Sequence, residues 1–437
     1  MNITNDIFYV GVNDHEIDLF EGQYPVPKGM AYNSYAIADD KIAIVDSVEA
    51  RFADEWLGKI SAALNGRTPD YLIVQHMEPD HSGSLLRFFD AFPDAVLVTS
   101  QRAFVMIRNF FGVDLAPRGI TVDDGDTLQL GRHELVFCTA PMVHWPEVIV
   151  TIDKADKVLF SADAFGKFGA REAAEPWHDE ARRYYFGIVG KYGIPTQGLL
   201  KKIAGFDIAA ICSLHGPTLR ENLGDYLSLY RTWSSYQPEE EGVVIAYTSI
   251  YGNTKRAVEL LAQKLRQAGC TVVVHDLARC DQFAAVADAF RYDRLVLATT
   301  TYNGGIFPFM QTFIHHLTER GYTNRTVAMI ENGSWAPAAI RVMRGLLEKC
   351  KNLTYTEHNV TILSALNDKS TAQLEALALE LAGAVSEAAP VEEAAADGPK
   401  KKFVCRICGY IHEADRLPDD FTCPLCGRPA SDFEEVN

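Results

Sequence analysis

The chain has 437 residues, 48% hydrophobic and 23% charged, with a formal net charge of −17. That length predicts two large domains, or two plus a small module. The acidic balance excludes a general nucleic-acid binder, which needs clustered Lys and Arg to neutralise phosphate, and it favours solubility and a basic protein partner. No apolar run reaches membrane-spanning length, and the start "MNITNDIFYVG" lacks the basic and apolar stretches of a signal peptide, so the expected compartment is the cytoplasm.

Residues 1–238 read as strand-rich with intervening helices. "YAIADDKIAIVD" predicts an early hairpin with Asp39-Asp40 as its turn. Next comes "IVQHMEPDHSGS" (73–84), which crowds His76, Glu78, Asp80 and His81 into six positions after an apolar strand. Pro79 and Gly83 mark a loop, and a loop can turn all four side chains toward one centre. Three more candidates recur in the same context: His144 after "ELVFCTAPMV", Asp163 after "KVLFSA" and His215 after "IAAICSL". A lone histidine after a strand is usually a satisfied polar group. Four strand ends of this kind in one region are not coincidence. Four imidazoles and three carboxylates are too many for one tetrahedral zinc but suit two metals sharing a carboxylate. Ligand type alone leaves zinc, iron and manganese open.

"HMEPDH" resembles the H-x-E-x-D-H motif of the flavodiiron proteins, whose N-terminal domain has the αβ/βα metallo-β-lactamase-like fold. Hydrolytic relatives with that fold carry H-x-H-x-D-H and bind zinc; here Glu78 stands at the third position. The resemblance implies that His76, Glu78 and His144 hold one iron, that Asp80, His81 and His215 hold the other, and that Asp163 bridges them. His81 is the least secure ligand, because in some family members the matching histidine swings away. Tyr184, Tyr185 and His178 are candidate proton donors, against the plainer reading that each is packing or surface.

The polar stretch "SSYQPEEEG" (234–242) predicts a boundary. Beyond it, 242–385 alternates strands (243–248, 271–275, 294–299, 325–331, 360–364) with helical segments such as "TKRAVELLAQKLRQAG", the pattern of a flavodoxin-like α/β doubly wound parallel sheet. Three loops at strand C-termini carry hydroxyls, glycines and aromatics. They are Thr248, Ser249, Ile250, Tyr251, Gly252, Asn253 and Thr254; then Thr300, Thr301, Tyr302, Asn303, Gly304 and Gly305; then Asn332, Gly333, Ser334 and Trp335. The first lies at a helix N-terminus and lacks the Gly-Lys-Ser/Thr of a triphosphate loop, which favours a monophosphate. The order of the three resembles flavodoxin. It implies FMN, with its phosphate in the first loop and its ring between the others, near Tyr302 and Trp335.

The segment 386–401 is Ala, Glu and Pro with almost nothing to bury, and predicts a flexible linker. Residues 402–437 hold "CRICGY" and "CPLCG", a C-x2-C, fourteen-residue, C-x2-C spacing. Cys405, Cys408, Cys423 and Cys426 would clamp one metal, which would supply stability that so small a core lacks. The plain reading is a zinc ribbon. The wording resembles a rubredoxin of the abbreviated type fused to rubrerythrins, implying one iron held by the four thiolates, with Tyr410, Phe421 and Phe433 as the aromatic core. Cys138, Cys212, Cys270, Cys280 and Cys350 stand alone and read as small hydrophobes.

The three parts resemble flavorubredoxins over essentially the whole chain. The resemblance implies an oxidoreductase that reduces dioxygen to water, nitric oxide to nitrous oxide, or both, with electrons passing from the rubredoxin iron to FMN to the diiron site. It implies an NAD(P)H-dependent rubredoxin reductase as donor and a head-to-tail homodimer or homotetramer. The competing readings are a dizinc metallo-hydrolase fused to redox modules and a pure electron carrier with a vestigial first domain.

Overall fold

The computed structural model describes residues 2–383, 401–407, 409–414, 416–424 and 428–436. Two compact units result. The first holds Met1–Tyr185, Ile194–Arg231 and the C-terminal module; the second holds Phe186–Gly193 and the chain from Thr232 to the helix ending at Gly383.

The first unit is built on two sheets. One has six strands in the order Ile7–Tyr9, Tyr35–Ala38, Ile42–Val45, Tyr71–Ile73, Val96–Thr99, Gly119–Thr121. The other has five: Thr127–Gln129, Glu134–Thr139, Ile149–Asp153, Val158–Phe160, Ala210–Cys212. One core cluster joins Ile37, Val45, Ile73 and Val98 of the first sheet to Phe137, Ile149, Phe160 and Cys212 of the second. Each large apolar side chain buried there contributes about 1.5–3 kcal/mol. The opposite face of the first sheet is covered by the helix Ala53–Leu64, which buries Trp56, Ile60 and Leu64 at helical spacing. The expected hairpin forms, with Ala38 opposite Ile42, so its loop is Asp39–Lys41 rather than two residues.

In the second unit five parallel strand positions follow the order Val272–Asp276, Glu240–Tyr247, Tyr292–Tyr302, Arg325–Asn332 and then Leu353–Tyr355 with Val360–Ile362. This is the 2-1-3-4-5 order of flavodoxin-like sheets, whose switch point lies between the first and third strands. The helix Asn253–Gln267 buries Ala257, Val258, Leu261 and Leu265 against the sheet. The short strand Leu353–Tyr355 is not expected from the sequence: three half-exposed edge residues give no apolar run.

The C-terminal module is a three-stranded antiparallel sheet, Ile411–Ala414, Lys401–Cys405, Phe433–Val436. Phe421 and Tyr410 both pack edge-on against Phe433, at 5.3 and 6.4 Å between ring centroids. The linker expected at 386–401 lies outside the described residues, apart from Lys401, which opens the first strand of this sheet.

Candidate metal centre and cofactor cavity

Seven side chains from four strand ends of the first unit converge. After Tyr71–Ile73 the chain runs through His76 to Glu78, and Pro79–Ser82 then makes a single helical turn with Pro79 at its first position. A loop was expected here; one turn of helix is too short to leave a periodic trace in sequence, and a proline at that position is pre-organised for it. The turn points Asp80 and His81 inward, both buried. Gly83 follows it, and only glycine fits there, because a Cβ would lie 2.5 Å from the Pro79 carbonyl and 2.9 Å from Ala50 N. His144, Asp163 and His215 arrive from the turns that follow Glu134–Thr139, Val158–Phe160 and Ala210–Cys212.

The ligand atoms sort into two groups, His76, Glu78, His144 and Asp163 in one and Asp80, His81 and His215 in the other. In the first, His144 Nε2 lies 3.1 Å from Glu78 Oε2 and 3.0 Å from Asp163 Oδ2, and His76 Nε2 lies 3.3 and 3.2 Å from the same two oxygens. In the second, His81 Nε2 lies 3.0 Å from His215 Nε2 and 3.2 Å from Asp80 Oδ2. Asp163 reaches both groups. Its other oxygen, Oδ1, is 3.3 Å from His81 Nε2 and 3.6 Å from His215 Nε2. His81 therefore faces inward with the rest.

Hydrogen bonding from outside fixes the imidazoles. His76 Nδ1 donates to Glu147 Oε1 at 2.8 Å and His215 Nδ1 donates to the Ala31 carbonyl at 2.7 Å, so in each neutral ring Nε2 carries a lone pair aimed into the pocket. Lone pairs facing carboxylate oxygens at such distances need a proton or a cation between them. The oxygens of Asp80 and Asp163 are buried and accept no conventional hydrogen bond. Burial and the neighbouring Glu78 and Asp163 charges push the Asp80 carboxyl well above its usual range, while burial and the facing His81 hold His215 down to about 3. Burial opposes charge on His144 too, yet the Asp163 and Glu78 carboxylates raise it to about 9. A pocket that protonates some groups and strips others is built for positive charge: bound cations keep every carboxylate ionised and every imidazole neutral. The donor set of nitrogen and oxygen without thiolate fits two iron ions.

The same chemistry does not hold at the one other such group among the described residues. His133, Asp153 and Asp156 also cluster, but Arg132 bridges Asp156 and Asp6, and the Asp153 carboxylate accepts from the backbone of Ala155 and Asp156. That group is already neutralised by protein.

Two positioning residues escaped the sequence reading. Glu147 takes both His76 Nδ1 and Met77 N at 2.8 Å. Asp46, buried and pushed up to about 6 by that burial, accepts from Gln75 N at 2.7 Å and His76 N at 3.3 Å. Neither belongs to a repeated pattern; the sole hint was an acid three residues after His144. Glu147→Gln keeps the shape and removes the anionic acceptor, so metal affinity is expected to fall about 10–100-fold. Competition of the reconstituted variant against a chelator measures it, and unchanged affinity would remove Glu147 from this role.

Of the proton-donor candidates, Tyr184 is buried with its ring 5.4 Å from that of His215, and burial with the nearby Asp163 charge raises its pKa well above normal. It keeps its proton through the neutral range. Tyr185 packs on Tyr230, and His178 is half-exposed beside Asp179 at 3.8 Å.

The second unit holds a cavity of about 580 Å3 walled by all three predicted loops, with Ala336 and Ser364 added. Thr248, Gly252 and Gly305 lie outside the lining. Thr248 is buried against the Thr299 hydroxyl at 2.6 Å, and Gly252 caps the helix Asn253–Gln267 in the left-handed conformation. Ser249 Oγ accepts from Gly252 N and Lys255 N, both at 3.2 Å, and shapes a turn around the helix start. Backbone N–H groups there suit an anion. No charged residue lines the cavity. Thr300 Oγ1 is buried without a hydrogen-bond partner, while Tyr251 and Trp335 are 90% and 83% exposed at the rim. An unpaired hydroxyl, bare aromatic faces and a neutral phosphate cradle fit FMN.

Cys405 and Cys423 are buried together in the module, with Tyr410 and Phe433 packed on them. Cys408 and Cys426 lie outside the described residues.

Comparison with known proteins agrees with this layout. A family described as ODP family beta lactamase matches residues 30–216, a flavodoxin domain family matches 244–357, and a rubrerythrin, rubredoxin-like domain family matches 403–434. The anaerobic nitric oxide reductase flavorubredoxin of Salmonella paratyphi B is 27% identical over 97% of this chain and 96% of its own. Among solved structures, rubredoxin oxygen:oxidoreductase of Desulfovibrio gigas superposes with a TM-score of 0.81 at 26% identity, over 88% of this chain and 98% of that one. The flavodiiron protein of Giardia intestinalis gives 0.81 at 25%, over 87% and 95%. No described helix is long and apolar enough to cross a membrane.

Proposed function

We propose that this chain, which belongs to the flavodiiron proteins of the flavorubredoxin type, reduces nitric oxide to nitrous oxide, dioxygen to water, or both. The observation that carries the reading is the Asp163 carboxylate, with one oxygen against His76 and His144 and the other against His81 and His215. A carboxylate so placed suits two ions held side by side, the arrangement a two-centre reduction of a diatomic gas requires. Two of the relatives named above are a nitric oxide reductase and an oxygen oxidoreductase, and neither supports the hydrolase alternative.

In this reading His76, Glu78 and His144 hold one iron, Asp80, His81 and His215 the other, and Asp163 spans them. When bound, the pair supplies electrons and Lewis acidity to the gas, and FMN and the iron of the four-cysteine site supply the electrons that restore it. The residues do the rest. Glu147 and the Ala31 carbonyl hold two imidazoles with Nε2 inward, so the ligand set is preformed. Counting the shared Asp163, each ion would have two imidazoles and two carboxylates, with Glu78 in one set where Asp80 stands in the other. Phe20, Tyr32 and Trp145 pack their rings against His215 and His76, which limits water to the open side. Glu78 is the ligand nearest that side, with 15% of its side chain exposed. Two nitric oxide molecules consume two electrons and two protons to give nitrous oxide and water; dioxygen consumes four of each to give two waters.

An NAD(P)H-dependent rubredoxin reductase as donor, a head-to-tail homo-oligomer and a cytoplasmic setting belong to the same proposal. Anaerobic turnover of the iron-loaded, flavin-loaded chain with each gas in turn tests it. Consumption of nitric oxide or dioxygen supports the reading. A chain holding two zincs as purified and inert to both gases after iron loading defeats it.

A further inference from the structure

The C-terminal module does not stand clear of the first unit. Met142 packs against the buried pair Cys405 and Cys423. Arg102 Nη2 donates to the Arg406 carbonyl at 3.3 Å. Gly409, in the left-handed conformation, lies against Pro141, where an added Cβ would come within 3.6 Å of the ring. The module thus presents the stretch that carries Cys405, Arg406 and Gly409.

The first-unit residues it meets belong to segments that also frame the metal pocket. Pro141 and Met142 open a turn closed by Met142 N donating to the Trp145 carbonyl at 2.7 Å, and that turn carries His144. Arg102 stands in the first turn of the helix Gln101–Phe111. The N-cap of that helix, Ser100, donates its hydroxyl to the Glu147 carbonyl at 2.8 Å, and Glu147 orients His76.

We propose that Arg102, Pro141 and Met142 form the docking surface for the chain's own rubredoxin-like module, and that the module passes its electron from this seat. The proposal rests on the redox reading of the four-cysteine site given above. Met142 shields the thiol pair from water, and dehydration on one face is among the factors that set the potential of an iron–thiolate centre. Any flavin that serves the metal pocket must approach its mouth, whichever subunit carries it, so a donor seated at the rim of that pocket has a short path to it. One electron moves per encounter: ferrous iron in the module becomes ferric, and the flavin is reduced.

Two variants test the seat in the full-length, fully loaded protein. Arg102→Glu removes the donor to Arg406 and places an acid in the first helical turn, where the helix dipole favours it, so folding is not at stake. Met142→Asn removes the apolar cover while keeping a residue type that tolerates the positive φ of 65° found there. Hydrogen–deuterium exchange is expected to quicken about tenfold at 405–410 and 141–145, corresponding to about 1.4 kcal/mol of lost docking. Module-to-flavin electron transfer followed by stopped flow should slow by a similar factor, while reduction of the module by an external donor and turnover driven by dithionite stay at the parent level. Unchanged exchange and unchanged transfer in both variants overturn the docking surface. A parent protein whose module never reduces the flavin overturns the redox reading instead, and the exchange result then decides the seat separately.

Discussion

Asp163→Asn is expected to abolish gas reduction and to empty the metal centre while the flavin stays bound. The carboxylate is the single group shared by both ligand clusters, with Oδ2 at 3.0 Å from His144 and Oδ1 at 3.3 Å from His81. An amide can offer only one oxygen, so its NH2 must face one imidazole pair and any cation there. The change also removes a full negative charge from a pocket where burial alone disfavours cations without anionic ligands. Changes to outer-shell partners cost about 10–100-fold, so loss of the spanning ligand should exceed about 100-fold in turnover. Iron per chain, flavin absorbance and anaerobic gas consumption report the three parts separately. Two irons with undiminished turnover would refute the assignment.

Cys423→Ser should give the opposite division. Cys423 is 2% exposed and, with Cys405, makes the centre of a core whose other members are Tyr410, Phe433 and, across the seat, Met142. So small a core does not hold the module folded, and a structural metal supplies on the order of 10 kcal/mol in comparable Cys-rich modules. A serine hydroxyl is a poor replacement for thiolate. Turnover driven by NAD(P)H and a rubredoxin reductase is expected to fall by about two orders of magnitude or more once that metal is lost. Turnover with dithionite, which reaches the flavin without the module, should stay near the parent rate. Equal loss with both donors would mean that the module supports the rest of the chain structurally rather than electronically.

Much of this was legible in the sequence because the signals repeat. His76, His144, Asp163 and His215 each follow an apolar strand, and the fold does bring those four strand ends to one place. The three hydroxyl- and glycine-bearing loops likewise wall one cavity, since each lies at the C-terminal edge of a parallel strand. What stayed hidden is what leaves no repeat. The Pro79–Ser82 turn is shorter than a helical period that sequence can register. Glu147 and Asp46 act through hydrogen bonds that span 71 and 30 residues of chain separation, and nothing local distinguishes them from surface acids. Ser364 joins the cavity from a strand end too short to announce a loop. The seat on Pro141 and Met142 depends on two surfaces whose complementarity no single stretch records.

The spread of the ligands along the chain also orders events during biosynthesis. His76, Glu78, His144 and Asp163 make up one cluster, and all four have been polymerised before the residue that completes the other, His215. Synthesis runs from the N-terminus, but a domain folds as a unit, so having those four residues in the emerging chain does not yet make a nest. Both positions are complete only once the strand Ala210–Cys212 has docked beside Val158–Phe160 and brought His215 to 3.4 Å from Asp80.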